Sequence, residues 1–112
     1  VPCGAAAQKA LKAANLIAHP VTLEPDVTSV LTKVELGEVD AGVVYRTDVK
    51  TAGSKVQGVE FPEAAQAVNT YPIAVVKTGK NSVAANAFVQ FVLSAAGQQV
   101  LQDAGFESAS SR

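Results

Sequence analysis

The stretch Gly37-Glu38-Val39-Asp40-Ala41-Gly42-Val43-Val44-Tyr45 decides the fold of this chain. Its second half, residues 41–45, is apolar without interruption and rich in β-branched side chains. That composition is typical of a strand covered on both faces, which occurs mainly in parallel sheets flanked by helices. The stretch therefore predicts a central parallel strand.

Helical periodicity precedes this strand. Apolar residues at i, i+3, i+4 and i+7 predict amphipathic helices over residues 4–15 and 27–36. Asp26 is placed to cap the second helix, because its side chain can accept the amide of Ser29. Residues 47–53 are predicted to form a turn or short helix.

Extended and helical segments also alternate after the strand. Residues 56–61 and 71–77 are predicted strands, separated by a loop with a helical turn at 62–67. Helices that alternate with strands indicate a layered α/β domain with a largely parallel sheet.

The last predicted helices follow the turn at residues 78–81. A helix from Ser82 to residue 95 has an apolar face that must dock on another element, and Gly97 is expected to break or bend it. A final helix over residues 98–104 should end at Gly105 in the left-handed conformation, with Phe106 packing back on it.

Composition excludes several classes of protein. The chain has 112 residues, 48% of them hydrophobic and 17% charged, which fits an ordinary globular domain. Its net charge of -1 leaves no basic surface for nucleic acid, and no apolar run is long enough to span a membrane. Because Val1 is not an initiator Met, we expect that a preceding segment has been removed.

Three positions have the character of a ligand site. In parallel α/β sheets, ligands bind where strands end and helices begin. Cys3-Gly4 and Asp26-Val27 open helices, and Tyr45 ends the central strand. The first amides of a helix lack intrahelical partners and carry the positive end of its dipole, so these positions favour an anion.

Other chemistries have little support in this chain. Thiol catalysis would need Cys3 beside His19, and no spacing brings them together. One Cys and one His do not make a closed metal site, so we expect no metal ligands and no enzyme activity. Five charged residues near the predicted site are expected to lie at the protein surface, exposed to solvent: Arg46, Asp48, Lys50, Glu60 and Glu63.

The residues at these positions resemble the periplasmic molybdate-binding proteins of ABC importers, a type II substrate-binding family. The resemblance covers nearly the whole chain and follows the family order of segments: Val1-Pro2-Cys3-Gly4-Ala5, Pro25-Asp26-Val27, residues 37–48, Tyr71-Pro72-Ile73-Ala74-Val75-Val76 and Gly105-Phe106. Such proteins have an N-terminal portion about as long again. The resemblance therefore implies that residues 1–112 are the C-terminal part of a two-lobed protein, with about 1–70 in the second lobe and about 71–112 forming a hinge strand and C-terminal helices.

The resemblance also implies a set of site residues. The oxyanion, molybdate or tungstate, would be held by the backbone amides of Cys3 and Val27 and by the hydroxyl of Tyr45. The family commonly has a small residue such as Ala where this chain has Cys3, and a backbone donor tolerates that change. Further donors would come from the N-terminal half. No cofactor is implied.

Partners and location follow from the same resemblance. We expect export to the periplasm or to the outer face of the cell membrane, delivery to a membrane permease, and a possible homodimer through exposed edges. The alternative function is the ligand-sensing effector domain of a bacterial transcription regulator, which would carry a helix-turn-helix. An enzyme of porphobilinogen-deaminase type is a more distant alternative.

Overall fold

The computed structural model describes residues 2–109. The α-helices of this part of the chain are α1 (Pro2–Ala13), α2 (Val27–Glu35), α3 (Arg46–Ala52), α4 (Ser82–Leu93) and α5 (Ala95–Asp103), and two 3₁₀ helices span Gly53–Lys55 and Pro62–Ala67. The chain divides into two compact units, Val1–Asn69 and Thr70–Arg112. None of the helices described is both long and apolar enough to cross a membrane.

The beginning of α2 and the ends of α1, α2 and α5 form as the sequence predicts. The Asp26 carboxylate caps α2 by accepting the amide of Ser29, at 2.8 Å between Oδ1 and N. Shortly after the last residue of α1, α2 and α5 the chain contains a residue in the left-handed conformation. These residues are Asn15 (φ 55°), Gly37 (φ 70°) and Gly105 (φ 101°). In α5 the amide of Phe106 then donates to the carbonyl of Leu101 at 3.0 Å, so the predicted C-terminal cap is confirmed.

The predicted sheet is not formed in this structure. Residues 2–109 contain no strand, and the segments 41–45, 56–61 and 71–77 are irregular. The backbone of Tyr45 (φ −79°, ψ 156°) and of Phe61 (φ −139°, ψ 145°) is nevertheless extended. A strand is completed by hydrogen bonds from a neighbouring extended segment. Among the described residues the extended segments do not pair with one another, which is the physical reason for the difference.

The segment 41–45 is covered on one side by α2. A methyl group built on Gly42 would lie 2.6 Å from Cγ1 of Val30 and 3.2 Å from Cγ2 of Val34. Ala41, Gly42 and Val43 are nevertheless exposed. The prediction that both faces of this segment are covered is therefore wrong for the described structure.

Helices α4 and α5 meet at Ser94 rather than at Gly97. Ser94 leaves the helical conformation (φ −69°, ψ 163°), and its hydroxyl accepts the amide of Gly97 at 3.3 Å. A serine hydroxyl competes for backbone amides in this way, so it ends one helix and caps the next. Gly97 lies inside α5 and is buried, because the backbone of α4 approaches it closely. The expected break at Gly97 is displaced by three residues.

Large apolar side chains are mostly exposed. Among the described residues the buried hydrophobic side chains are those of Ala10 and Ala52. Phe88 and Phe91 of α4 are 61% and 56% exposed, although the sequence predicts that this face docks on another element. An apolar surface of this extent is typical of an interaction face.

Candidate functional site

Cys3 lies in the first turn of α1 and touches the segment 41–45. Pro2 is the first helical residue, a position where its missing amide hydrogen costs nothing. The Cys3 amide belongs to the turn whose amides have no intrahelical acceptor. Its thiol lies 3.9 Å from the carbonyl oxygen of Val43, to which it can donate. This contact holds the beginning of α1 against the segment that leads to Tyr45.

Tyr45 is fixed at the beginning of α3. Its backbone amide donates to Oδ2 of Asp48 at 2.9 Å, one half of a capping box. Asp48 is half-buried in this role, so the expectation of a solvated surface charge is wrong for this residue. The hydroxyl oxygen of Tyr45 accepts a hydrogen bond of 2.8 Å from Nδ2 of Asn69. Both ends of Tyr45 are therefore held by side chains of the same unit.

The Cys3 thiol and the Tyr45 hydroxyl lie close together. Partial burial raises the pKa of the Cys3 thiol, and the negative charge of Asp48 raises it further. A hydrogen bond with the Tyr45 side chain opposes both effects and lowers that pKa. The structure thus brings together two of the three residues that the sequence indicates.

The raised pKa of the Cys3 thiol should lower its reactivity towards alkylating reagents, which can be measured. Because the thiolate is the nucleophile, we expect iodoacetamide to modify Cys3 more slowly than a free thiol at mildly alkaline pH. Asp48→Asn removes a charge that raises the pKa and should shift the rate profile to lower pH. Tyr45→Phe removes the hydrogen bond that lowers the pKa and should shift the profile to higher pH. A shift in the same direction for both variants would contradict this arrangement.

Val27 is the first residue of α2, the helix that packs against the segment 41–45. The Asp26 carboxylate accepts a hydrogen bond from the amide of Ser29. The amide of Val27 lies in the first turn of α2, whose amides have no intrahelical acceptor. Gly42 contacts α2 at Val30, about one turn further along. Of the three residues, Cys3 contacts the segment 41–45, Tyr45 ends it, and Val27 begins the helix that packs on it.

The donors at this place are electrically neutral. The nearest cation in sequence, Arg46, forms a two-point ion pair with Glu60, with Nε–Oε1 and Nη2–Oε2 distances of 2.7 and 3.2 Å. Its charge is therefore already compensated. Residues 2–109 contain no group of three or more His, Cys, Asp or Glu side chains that could hold a metal ion. What the site offers is a set of amide and hydroxyl donors suited to an oxyanion.

Asn69 is a residue that sequence reasoning missed. It follows the 3₁₀ helix Pro62–Ala67, and nothing in its local sequence distinguishes it from a polar loop residue. The 3₁₀ helix packs against α1, and Val68 then takes an extended conformation (φ −67°, ψ 132°) that carries the chain to Tyr45. Only this packing brings Asn69 to the site.

Comparison with known proteins gives a consistent set of relatives. Residues 1–107 match the family described as bacterial extracellular solute-binding protein. The chain is 44% identical over 106 residues to the molybdate-binding protein ModA of Mycobacterium bovis, covering 95% of this chain. It is 34% identical over 110 residues to the putative ABC transporter substrate-binding lipoprotein YvgL of Bacillus subtilis, again covering 95% of this chain. It is also 31% identical over 111 residues to ModA of Haemophilus influenzae, covering 96% of this chain.

These relatives are longer than the chain. The aligned region spans 41% of the Mycobacterium bovis protein, 42% of the Bacillus subtilis protein and 43% of the Haemophilus influenzae protein. No solved structure gives a significant match. More than half of each relative therefore lies outside the region shared with this chain.

Proposed function

This chain belongs to the bacterial extracellular solute-binding protein family, and on that premise we propose that it binds a tetrahedral oxyanion, molybdate or tungstate, for delivery to an ABC importer. The observation that carries the proposal is the contact of the Cys3 thiol, in the first turn of α1, with the carbonyl oxygen of Val43, two residues before Tyr45. It brings a helix N-terminus to the segment that ends in the hydroxyl donor Tyr45. Two relatives named as molybdate-binding proteins support the choice of anion.

Neutral donors at fixed distances give a physical basis for selectivity. Molybdate and tungstate are tetrahedral dianions like sulfate, but they are larger, so overall charge does not separate them. A rigid shell of amides and hydroxyls can discriminate between anions by their radius, because a smaller anion leaves some donors without a hydrogen-bond acceptor. The amides of Cys3 and Val27 and the hydroxyl of Tyr45 would form this chain's part of the shell.

Further donors in this proposal come from outside the shared region. The chain spans 41% of the first relative's length, and a tetrahedral anion has room for more donors than these three positions provide. A segment that supplies them would also cover exposed apolar residues such as Leu23 and Phe91, which are 85% and 56% exposed. Pairing with that segment would give the three extended segments the neighbours that a mostly parallel type II sheet requires.

The proposal includes the expected partners and location. Membership of an extracellular family supports export, and we place the protein in the periplasm or at the outer face of the membrane, beside a permease. A homodimer through exposed edges stays a prediction. The alternative of a transcription-regulator effector domain gains no support from the relatives found. The role is binding rather than catalysis.

Calorimetric titration of the full-length protein tests the function directly. We expect molybdate and tungstate to bind at least about tenfold more tightly than sulfate, a difference of about 1.4 kcal/mol. The Asp103→Asn variant serves as a control, because it removes one carboxylate at the end of α5, in the other compact unit. Sulfate binding as tight as molybdate binding would refute the assignment.

A further inference from the structure

We infer that Asn69 is a positioning residue, which sets the direction of the Tyr45 hydroxyl proton and so makes Tyr45 a donor to the bound anion. The inference rests on the proposed function, because it needs an acceptor for that proton. Its basis is the hydrogen bond of 2.8 Å between Nδ2 of Asn69 and the hydroxyl oxygen of Tyr45.

The chemistry of the two groups determines the direction of this hydrogen bond. A side-chain NH₂ group only donates, whereas a phenol hydroxyl both donates and accepts. The Asn69 amide therefore occupies a lone pair of the Tyr45 oxygen, and the hydroxyl proton must point away from Asn69. The carbonyl oxygen of Val43, two residues before Tyr45, lies 3.9 Å from the Cys3 thiol in the first turn of α1. In the proposed complex the anion lies on the side of the Tyr45 oxygen away from Asn69, near the first turn of α1, and accepts the hydroxyl proton there.

Packing keeps Asn69 in this position. Helix α1 contacts the 3₁₀ helix Pro62–Ala67, which ends two residues before Asn69. The element that carries Cys3 and the element that leads to Asn69 are thus held together. Asn69 and Tyr45 are both half-buried, so water competes less for their hydrogen bond than it would at the surface.

A free hydroxyl rotor would bind an anion less well. Without Asn69 the phenol proton can rotate to other acceptors, and part of the binding free energy is then spent on orienting it. With Asn69 in place the donor is already aligned before the anion arrives. The effect of Asn69 on affinity should therefore pass entirely through the Tyr45 hydroxyl.

A double-mutant cycle in the full-length protein tests this dependence. Molybdate affinity is measured by calorimetry for the wild type, Asn69→Ala, Tyr45→Phe and the double variant. We expect Asn69→Ala to weaken binding about fivefold in the wild type and less than about twofold in the Tyr45→Phe background, as coupled neighbours behave. Asn86→Ala is the matched control, because it removes an amide hydrogen bond of 2.8 Å to Ser82 in the other compact unit, and we expect it to leave affinity unchanged.

A second substitution covers the case in which Asn69→Ala does not fold. Asn69→Asp keeps the size of the side chain but offers only acceptors, so the Tyr45 proton should turn towards residue 69 and binding should weaken more than in Asn69→Ala. Equal losses from Asn69→Ala in both backgrounds would mean that Asn69 acts only on folding and would overturn the inference. Tighter binding in Asn69→Ala would overturn it as well. If the wild type binds no oxyanion, the proposed function itself fails.

Discussion

Tyr45→Phe in the full-length protein is expected to weaken molybdate binding by about 1 to 3 kcal/mol, which corresponds to roughly 5- to 150-fold in Kd. The substitution keeps the ring and removes only the hydroxyl. A charged acceptor that loses one donor in a partly desolvated site cannot replace it fully with water. Calorimetric titration of both proteins under identical conditions measures the difference.

Tyr71→Phe is the matched control for this substitution. Tyr71 is 66% exposed, and its ring makes an edge contact with Phe106, at 5.7 Å between centroids, that a Phe ring would keep. We expect its affinity for molybdate to equal that of the wild type. Thermal unfolding without ligand should show that both variants are folded. An unchanged affinity in Tyr45→Phe would remove Tyr45 from the site.

Gly97→Ala is expected to destabilise the protein by about 1 to 3 kcal/mol, the usual cost of overpacking. A methyl group at this position would lie 2.3 Å from the carbonyl oxygen of Phe91 and 2.7 Å from that of Val92. Backbone atoms cannot rotate away as a side chain can, so α4 and α5 would have to separate. This cost exceeds the gain of at most about 1 kcal/mol that Ala has over Gly in a helix. Urea unfolding of the full-length protein measures the change.

Gly4→Ala is the matched control for stability. Gly4 and Gly97 are each the third residue of their helices, but a methyl group on Gly4 would meet nothing within 4 Å. We therefore expect Gly4→Ala to leave stability unchanged or to raise it by up to about 1 kcal/mol. Equal destabilisation by both substitutions would show that the close approach at Gly97 is not the cause.

The first helices, their ends and the family could be predicted from the sequence, because they depend on local patterns. Asp26 caps α2 and Gly105 ends α5 as expected, since capping involves residues only a few positions apart. The sequence predicts the break between α4 and α5 at Gly97, because glycine is a poor helix former, but the break lies at Ser94. At Gly97 the missing side chain allows close packing, and the hydroxyl of Ser94 ends α4.

The predicted strands are not formed in residues 2–109. A strand forms only when another extended segment, which can lie far away in the sequence, pairs with it. The segment 41–45 has strand composition, and Tyr45 has an extended backbone, yet no neighbour pairs with the segment within residues 2–109. The amino-acid composition of a segment indicates that it can form a strand when a second extended segment is available to pair with it. Pairing is decided elsewhere in the chain or outside it.

By itself the sequence determined the helix N-termini at Cys3 and Val27 and the hydroxyl at Tyr45, because each follows from the residues beside it. The tertiary structure alone decided that Cys3 contacts the segment ending at Tyr45 and that Asn69 donates a hydrogen bond to the Tyr45 hydroxyl. The first contact spans 40 residues, from Cys3 to Val43, and the second spans 24, from Tyr45 to Asn69; at these separations no local pattern specifies distance. They exist because the 3₁₀ helix Pro62–Ala67 packs on α1, and only the folded backbone records that packing.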